Sequence, residues 1–161
     1  MSMIHLGIGE FGATRTPGDQ LITYALGSCV ALLIIDPDTG TVGMAHIALP
    51  KPSENARRPA PGYYATDAVP GLMRQMAALG VNLRSKRLIA KLIGGASVID
   101  GMSRFDIGKR NVLAVRKLLW RHRLVPQGED VGGQLSRTVR IGTGRPPALT
   151  ISNPEHGTWT V

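Results

Sequence analysis

Along most of the chain the apolar residues fall in short runs broken by glycine and proline, and only two stretches show the three-to-four spacing of a helix. Val30 to Ile35 is continuously apolar and rich in β-branched side chains, the pattern of a strand buried on both faces. Gln20 to Leu26 precedes it through Gly27-Ser28. Thr41 to Leu49 follows it through Asp36-Pro37-Asp38-Thr39-Gly40, a turn composition that predicts a hairpin. Met3 to Phe11 reads as an opening edge strand limited by Gly7, Gly9 and Gly12, and Thr14 to Asp19 as a turn. Leu88 to Ile93 predicts a buried strand closed by Gly94-Gly95-Ala96. Leu124 to Asp130 and Arg137 to Gly142 predict strands flanking Gly132-Gly133, with a last short strand at Ala148 to Ser152.

The first helical stretch runs from Thr66 or Asp67 to Leu79, with Val69, Leu72, Met73, Met76 and Leu79 on one face and Gly80 at the C-cap. Pro70 suits a first turn, so the regular helix is expected to begin near it. The second runs from Asp106 or Gly108 to His122. Val112, Val115, Leu118 and Leu119 form its apolar face, and Lys109, Arg110, Arg116, Lys117 and Arg121 line the other. Strands outnumber helices, which favours an α+β sheet or sandwich with helices on one side. Lys51 to Pro61 is polar and proline-rich, the composition of an exposed loop or lid. Residues 1–152 are expected to form a single domain and 153–161 a loosely held C-terminal tail.

At 161 residues and 43% apolar content the chain has the size and composition of a folded domain with a substantial core. No apolar run approaches the roughly 18–20 residues needed to span a bilayer. The opening MSMIHLGIGEFG lacks the layout of a signal peptide. The formal net charge is +8, but the basic residues are scattered and no aromatic spacing suggests a base-stacking platform. An acidic protein surface is therefore the expected partner, not nucleic acid.

Cys29 is the sole cysteine, so no internal disulfide exists and a reducing cytoplasm suits it. A lone cysteine is usually a small buried hydrophobe. Here, however, Gly27 and Ser28 permit a tight turn that presents the thiol at a strand end, where backbone N–H groups can face a developing oxyanion. A histidine also lies within one hairpin. Of the four histidines, His5 and His156 are near the termini, and His122 ends an arginine-rich helix, where a cation suits the dipole. His46 alone sits in an apolar strand, either as a core histidine bonded to a carbonyl or as a base. An imidazolium that lowers a thiol pKa by about 1.5 makes roughly half of it thiolate at neutral pH. Thr23, on the strand entering the turn, is a candidate to orient the imidazole, and otherwise an ordinary β-branched strand residue. Metal-ligand spacing is absent, and no metal or other cofactor is expected. Gly94-Gly95 lacks the Gly-Lys-Ser/Thr of a phosphate loop and reads as a strand-end turn or a close backbone approach.

Taken together, Leu26-Gly-Ser-Cys-Val30, Gly43-Met-Ala-His46 with Leu49-Pro50, Ala90-Lys-Leu-Ile-Gly-Gly-Ala96, Ile107-Gly-Lys-Arg-Asn111, Gly132-Gly133 and Thr143-Gly144 resemble the CheD family of chemoreceptor glutamine deamidases. The resemblance implies a β-sandwich with helices packed against it, the cysteine hydrolase fold of certain deamidating toxins. It also implies catalysis by Cys29, His46 and Thr23. The implied substrates are glutamine side chains on the cytoplasmic helices of chemoreceptors, with methyl-ester hydrolysis also attributed to the family. Many members bind a CheC-type phosphatase, so the alternative is a non-catalytic adaptor that binds and stimulates such a phosphatase.

Overall fold

Strand β4 (Val30–Asp36) is buried along its whole length because the rest of the fold covers both its faces. Val30, Leu32 and Ile34 point one way, into a core shared with two helices, α1 (Ala65–Ala78) and α2 (Ile107–Arg121). Ala31, Leu33 and Ile35 point the other way, into a second core between two sheets. This period-two partition is what an unbroken apolar run needs in order to bury every residue. The structure is a computed structural model that describes residues 1–97 and 106–161.

Among the described residues the chain forms two five-stranded sheets and two helices. The helix-backed sheet has the order β2 (Phe11–Thr14), β5 (Thr41–Ile47), β4, β6 (Ile89–Gly94), β7 (Pro126–Val131). The open sheet has the order β1 (Met3–His5), β3 (Gln20–Leu26), β8 (Arg137–Gly142), β9 (Ala148–Asn153), β10 (Gly157–Trp159). Pairing is antiparallel except for β1 with β3 and for β6 with β7, which α2 connects. The architecture is thus an α+β, mixed β-sandwich with both helices on one side, as expected. Gly43 on β5 lets α1 approach closely: a Cβ there would meet Met76 Sδ at 2.8 Å and Leu72 Cδ1 at 2.9 Å.

Three elements depart from the sequence expectation. The opening strand is two strands in different sheets, β1 beside β3 and β2 beside β5. The crossing between them turns at Gly9, whose φ of +79° favours glycine. Helix α1 begins at Ala65 and carries Pro70 inside it. The carbonyl that the missing Pro70 N–H would have engaged belongs to Thr66, an exposed residue, so water can satisfy it. Finally, the segment 153–161 is held in place. β10 pairs with β9, Trp159 Nε1 donates to Asp130 Oδ2 at 2.7 Å, and Lys91 Nζ donates to the Val161 carbonyl. The stretch expected as a lid, Lys51 to Pro61, is pinned by the Arg58–Asp67 ion pair at 2.8 Å and by Tyr64 Oη donating to the Arg57 carbonyl at 2.9 Å.

Candidate active site

In the β4–β5 register Ala31 lies opposite His46 and Val30 opposite Ile47. Val42 and Met44 face the open sheet, so His46, two residues further along β5, faces it too. Cys29, two residues before Ala31, packs on the same intersheet cluster. Thiol and imidazole are therefore diagonal neighbours on one face of the hairpin, a relation that in a regular ladder separates Cα atoms by about 7–8 Å. His46 is 3% exposed, whereas Gly27, Ser28 and Cys29 are half-buried. The imidazole lies inside and the thiol at the rim.

Thr23 approaches from the open sheet. It shares the intersheet face with Leu21, two residues earlier on β3, and is fully buried. Its Oγ1 lies 2.6 Å from His46 Nδ1 and 2.7 Å from the Leu6 carbonyl. A hydroxyl has one proton and a carbonyl can only accept, so Thr23 donates to Leu6. Nδ1 must then carry a hydrogen and donate to Thr23, which leaves the lone pair on Nε2. That nitrogen is buried and, among the described residues, has no hydrogen-bond partner. The same crossing segment fixes the imidazole's backbone: Gly9 N donates to the His46 carbonyl at 2.8 Å and His46 N to the Glu10 carbonyl at 2.9 Å. An orienting hydroxyl and a bare Nε2 are what a general base needs.

Burial disfavours both charged forms. It pushes the Cys29 thiol above its ordinary pKa and the His46 imidazole down to about 4. Burial thus works against the thiolate–imidazolium pair expected from sequence. Only two features of that environment were visible beforehand, the apolar run around Cys29 and the apolar strand around His46.

The turn before β4 is anchored through all of its carbonyls. Gly27 O accepts from Ala96 N at 2.8 Å, Cys29 O from Gly95 N at 2.8 Å, and Ser28 O from Asn111 Nδ2 at 3.0 Å. Among the described residues, the N–H groups of Gly27, Ser28 and Cys29 have no acceptor. Gly94-Gly95 is the close backbone approach read from the sequence: Gly94 has φ +111°, and a Cβ there would lie 2.4 Å from the Cys29 carbonyl oxygen. Upstream, a register shift in β3 between Thr23 and Leu26, with Ala25 at φ +53°, separates the Thr23 position from the turn.

Asn111 is the residue that side-chain chemistry alone did not single out. It is fully buried on α2, and its amide nitrogen donates to both Ser28 O and Ala48 O, at 3.0 and 2.9 Å. One side chain thus ties the segment carrying Cys29 to the segment after His46. Both neighbours are carbonyls, so the amide orientation is determined. Its sequence signals were its place in the Ile107-Gly-Lys-Arg-Asn111 motif and a position three residues after Gly108 on a face otherwise lined by valine and leucine.

A thiol at a turn, a buried imidazole with its lone pair on Nε2 and an orienting threonine, all on an α+β sandwich, form the layout of a cysteine-hydrolase-type site. The chain belongs to the CheD family: the family model described as CheD chemotactic sensory transduction matches residues 48–145. It is 44% identical over 165 aligned residues, covering all of both chains, to a probable chemoreceptor glutamine deamidase CheD of Syntrophotalea carbinolica. It is 46% identical to a protein of the same description from Solibacter usitatus, over 90% of this chain and 87% of that one. Against the chemoreceptor glutamine deamidase CheD of Thermotoga maritima the identity is 38%, over 87% of each chain. No helix among the described residues is long and apolar enough to cross a membrane.

Proposed function

We propose that this protein is a chemoreceptor glutamine deamidase that acts in the cytoplasm through Cys29, His46 and Thr23, with the sandwich, β10 included, serving as one deamidase domain. The observation that carries the reading is the direction of the hydrogen-bond chain from His46 Nδ1–H through Thr23 to the Leu6 carbonyl, which leaves Nε2 free to take a proton. The names of its relatives supply the substrate class.

As a target glutamine enters, Nε2 removes the Cys29 thiol proton and Sγ attacks the side-chain amide carbon. The displaced electron pair collects on the amide oxygen, which on this reading accepts from the N–H groups of the Gly27–Cys29 turn that have no acceptor among the described residues. Imidazolium Nε2–H then protonates the leaving nitrogen, ammonia departs and a thioester remains. Water, deprotonated by Nε2, attacks the thioester, and glutamate leaves as Cys29 regains its proton. Because burial disfavours the separated charges, proton transfer belongs with the attack.

A CheC-type phosphatase is a second partner of the same site on this reading, bound in competition with receptor. The test is intact-mass analysis of a chemoreceptor cytoplasmic fragment incubated with wild type and with Cys29→Ala. A gain of about one mass unit per modified glutamine with wild type alone is expected. No gain, with retained stimulation of a phosphatase, would replace this reading by the adaptor one.

A further inference from the structure

Helix α2 buries one apolar stripe in the core and carries beside it a second, which the core covers only in part. Val112, Val115 and Leu119 are buried against the helix-backed sheet. The second stripe begins at Ile107 and continues through Leu113, Ala114 and Leu118, along one wall of a groove of about 660 Å3 whose opposite wall is the segment Leu49 to Ser53. Leu113 is 45% exposed. The spacing of three and four residues from Arg110 to Arg121 keeps this stripe on one line for about 16 Å.

Charge identifies what the groove suits. Lys51, Arg110, Lys117 and Arg121 line it, and no carboxylate does among the described residues. None of the four forms an ion pair among the described residues, whereas Arg116 on the same helix is held by Glu129 through bonds of 2.8 and 2.9 Å. Four cations with no ion pair among the described residues, set beside an apolar wall, match an occupant with acidic flanks and an apolar stripe. A groove that runs alongside a helix, with an apolar stripe flanked by cations, is the geometry of helix-in-groove recognition.

The groove is also tied to the candidate active site through the backbone. Asn111, next to Arg110, bonds the carbonyls of Ser28 and Ala48, and Leu49, the next residue, lines the groove. We propose that this groove seats an acidic amphipathic helix of the chemoreceptor substrate and so presents its glutamine to Cys29. The inference rests on the deamidase reading above and adds the docking site that selects a protein helix over a free glutamine peptide.

The test uses Lys117→Glu/Arg121→Glu, at two exposed positions outside the catalytic turn, with Lys117→Ala/Arg121→Ala as a milder pair should the reversal fail to fold. In the Cys29→Ala background, affinity for a chemoreceptor cytoplasmic fragment is measured by fluorescence anisotropy. Reversal is expected to weaken it about tenfold or more, since attractions become repulsions, and neutralisation less. In the active enzyme KM for the fragment rises with kcat unchanged, and hydrolysis of a short neutral glutamine peptide does not change. Unaltered affinity and KM in both pairs overturn the groove assignment even if deamidation stands. If wild type binds the fragment, reversal abolishes binding and no mass gain occurs, the groove stands and the deamidase reading falls. Charge-dependent binding to phosphatidylglycerol vesicles, with receptor affinity untouched, would assign the groove to lipid and overturn the proposal.

Discussion

The hydroxyl of Thr23 and the imidazole of His46 meet at 2.6 Å across the two sheets of the sandwich, and the Leu6 carbonyl fixes the direction of that bond. Everything chemical about the site depends on it, because the tautomer it selects puts the basic lone pair on Nε2. Thr23→Val keeps shape and removes the acceptor. Its kcat for deamidation is expected to fall about 10²-fold with the fold intact, whereas Thr23→Ser stays near wild type. Ammonia release measures both. A Thr23→Val rate within threefold of wild type would sink the orienting role.

The pH profile follows from burial. Catalysis needs unprotonated Nε2, and burial holds His46 at about 4 instead of 6.5. The rate kcat/KM should therefore rise with a midpoint near 4 and stay level through neutrality. It should decline only above the ordinary thiol range, because burial pushes Cys29 up. A rising limb centred near 6.5 would indicate a solvated imidazole instead.

The same group makes stability depend on pH. Between 6.5 and about 4 the unfolded chain takes up a proton at His46 that the folded chain refuses. The stability that the neutral imidazole contributes is fully present above 6.5 and is lost as pH falls towards 4. The interval corresponds to about 3 kcal/mol. Urea denaturation at pH 4.5, 5.5, 6.5 and 7.5 should show this slope, and His46→Gln should flatten it.

Asn111→Leu leaves the Ser28 and Ala48 carbonyls without their shared donor. We expect a loss of roughly 2–4 kcal/mol in urea denaturation, because two carbonyls are stranded. A fall in kcat should accompany it, as the turn holding Cys29 is released. Asn111→Asp, which sets a carboxylate against both carbonyls, should be worse. Equal stability of all three proteins would remove Asn111 from this role.

The sequence by itself determined the strands on either side of Cys29, both helices within a residue or two, and the layered α+β class, because alternation and three-to-four spacing are local patterns. It also singled out Cys29 and His46, since a thiol at a Gly-Ser turn and an imidazole in an apolar strand are anomalous where they stand. What it could not supply was any relation across the two sheets. The opening segment divides between them because Gly9 turns the chain across the gap, and that crossing delivers the Leu6 carbonyl to Thr23. The held C-terminal strand β10 likewise depends on partners far along the chain, β9 and Asp130. Asn111 was legible only as the end of the Ile107-Gly-Lys-Arg-Asn111 motif, because its two acceptors lie 83 and 63 residues away. Tertiary structure alone decided which nitrogen of His46 keeps its lone pair and that burial disfavours the charged forms of both groups, since desolvation and a three-group hydrogen-bond chain are properties of packing, not of any segment.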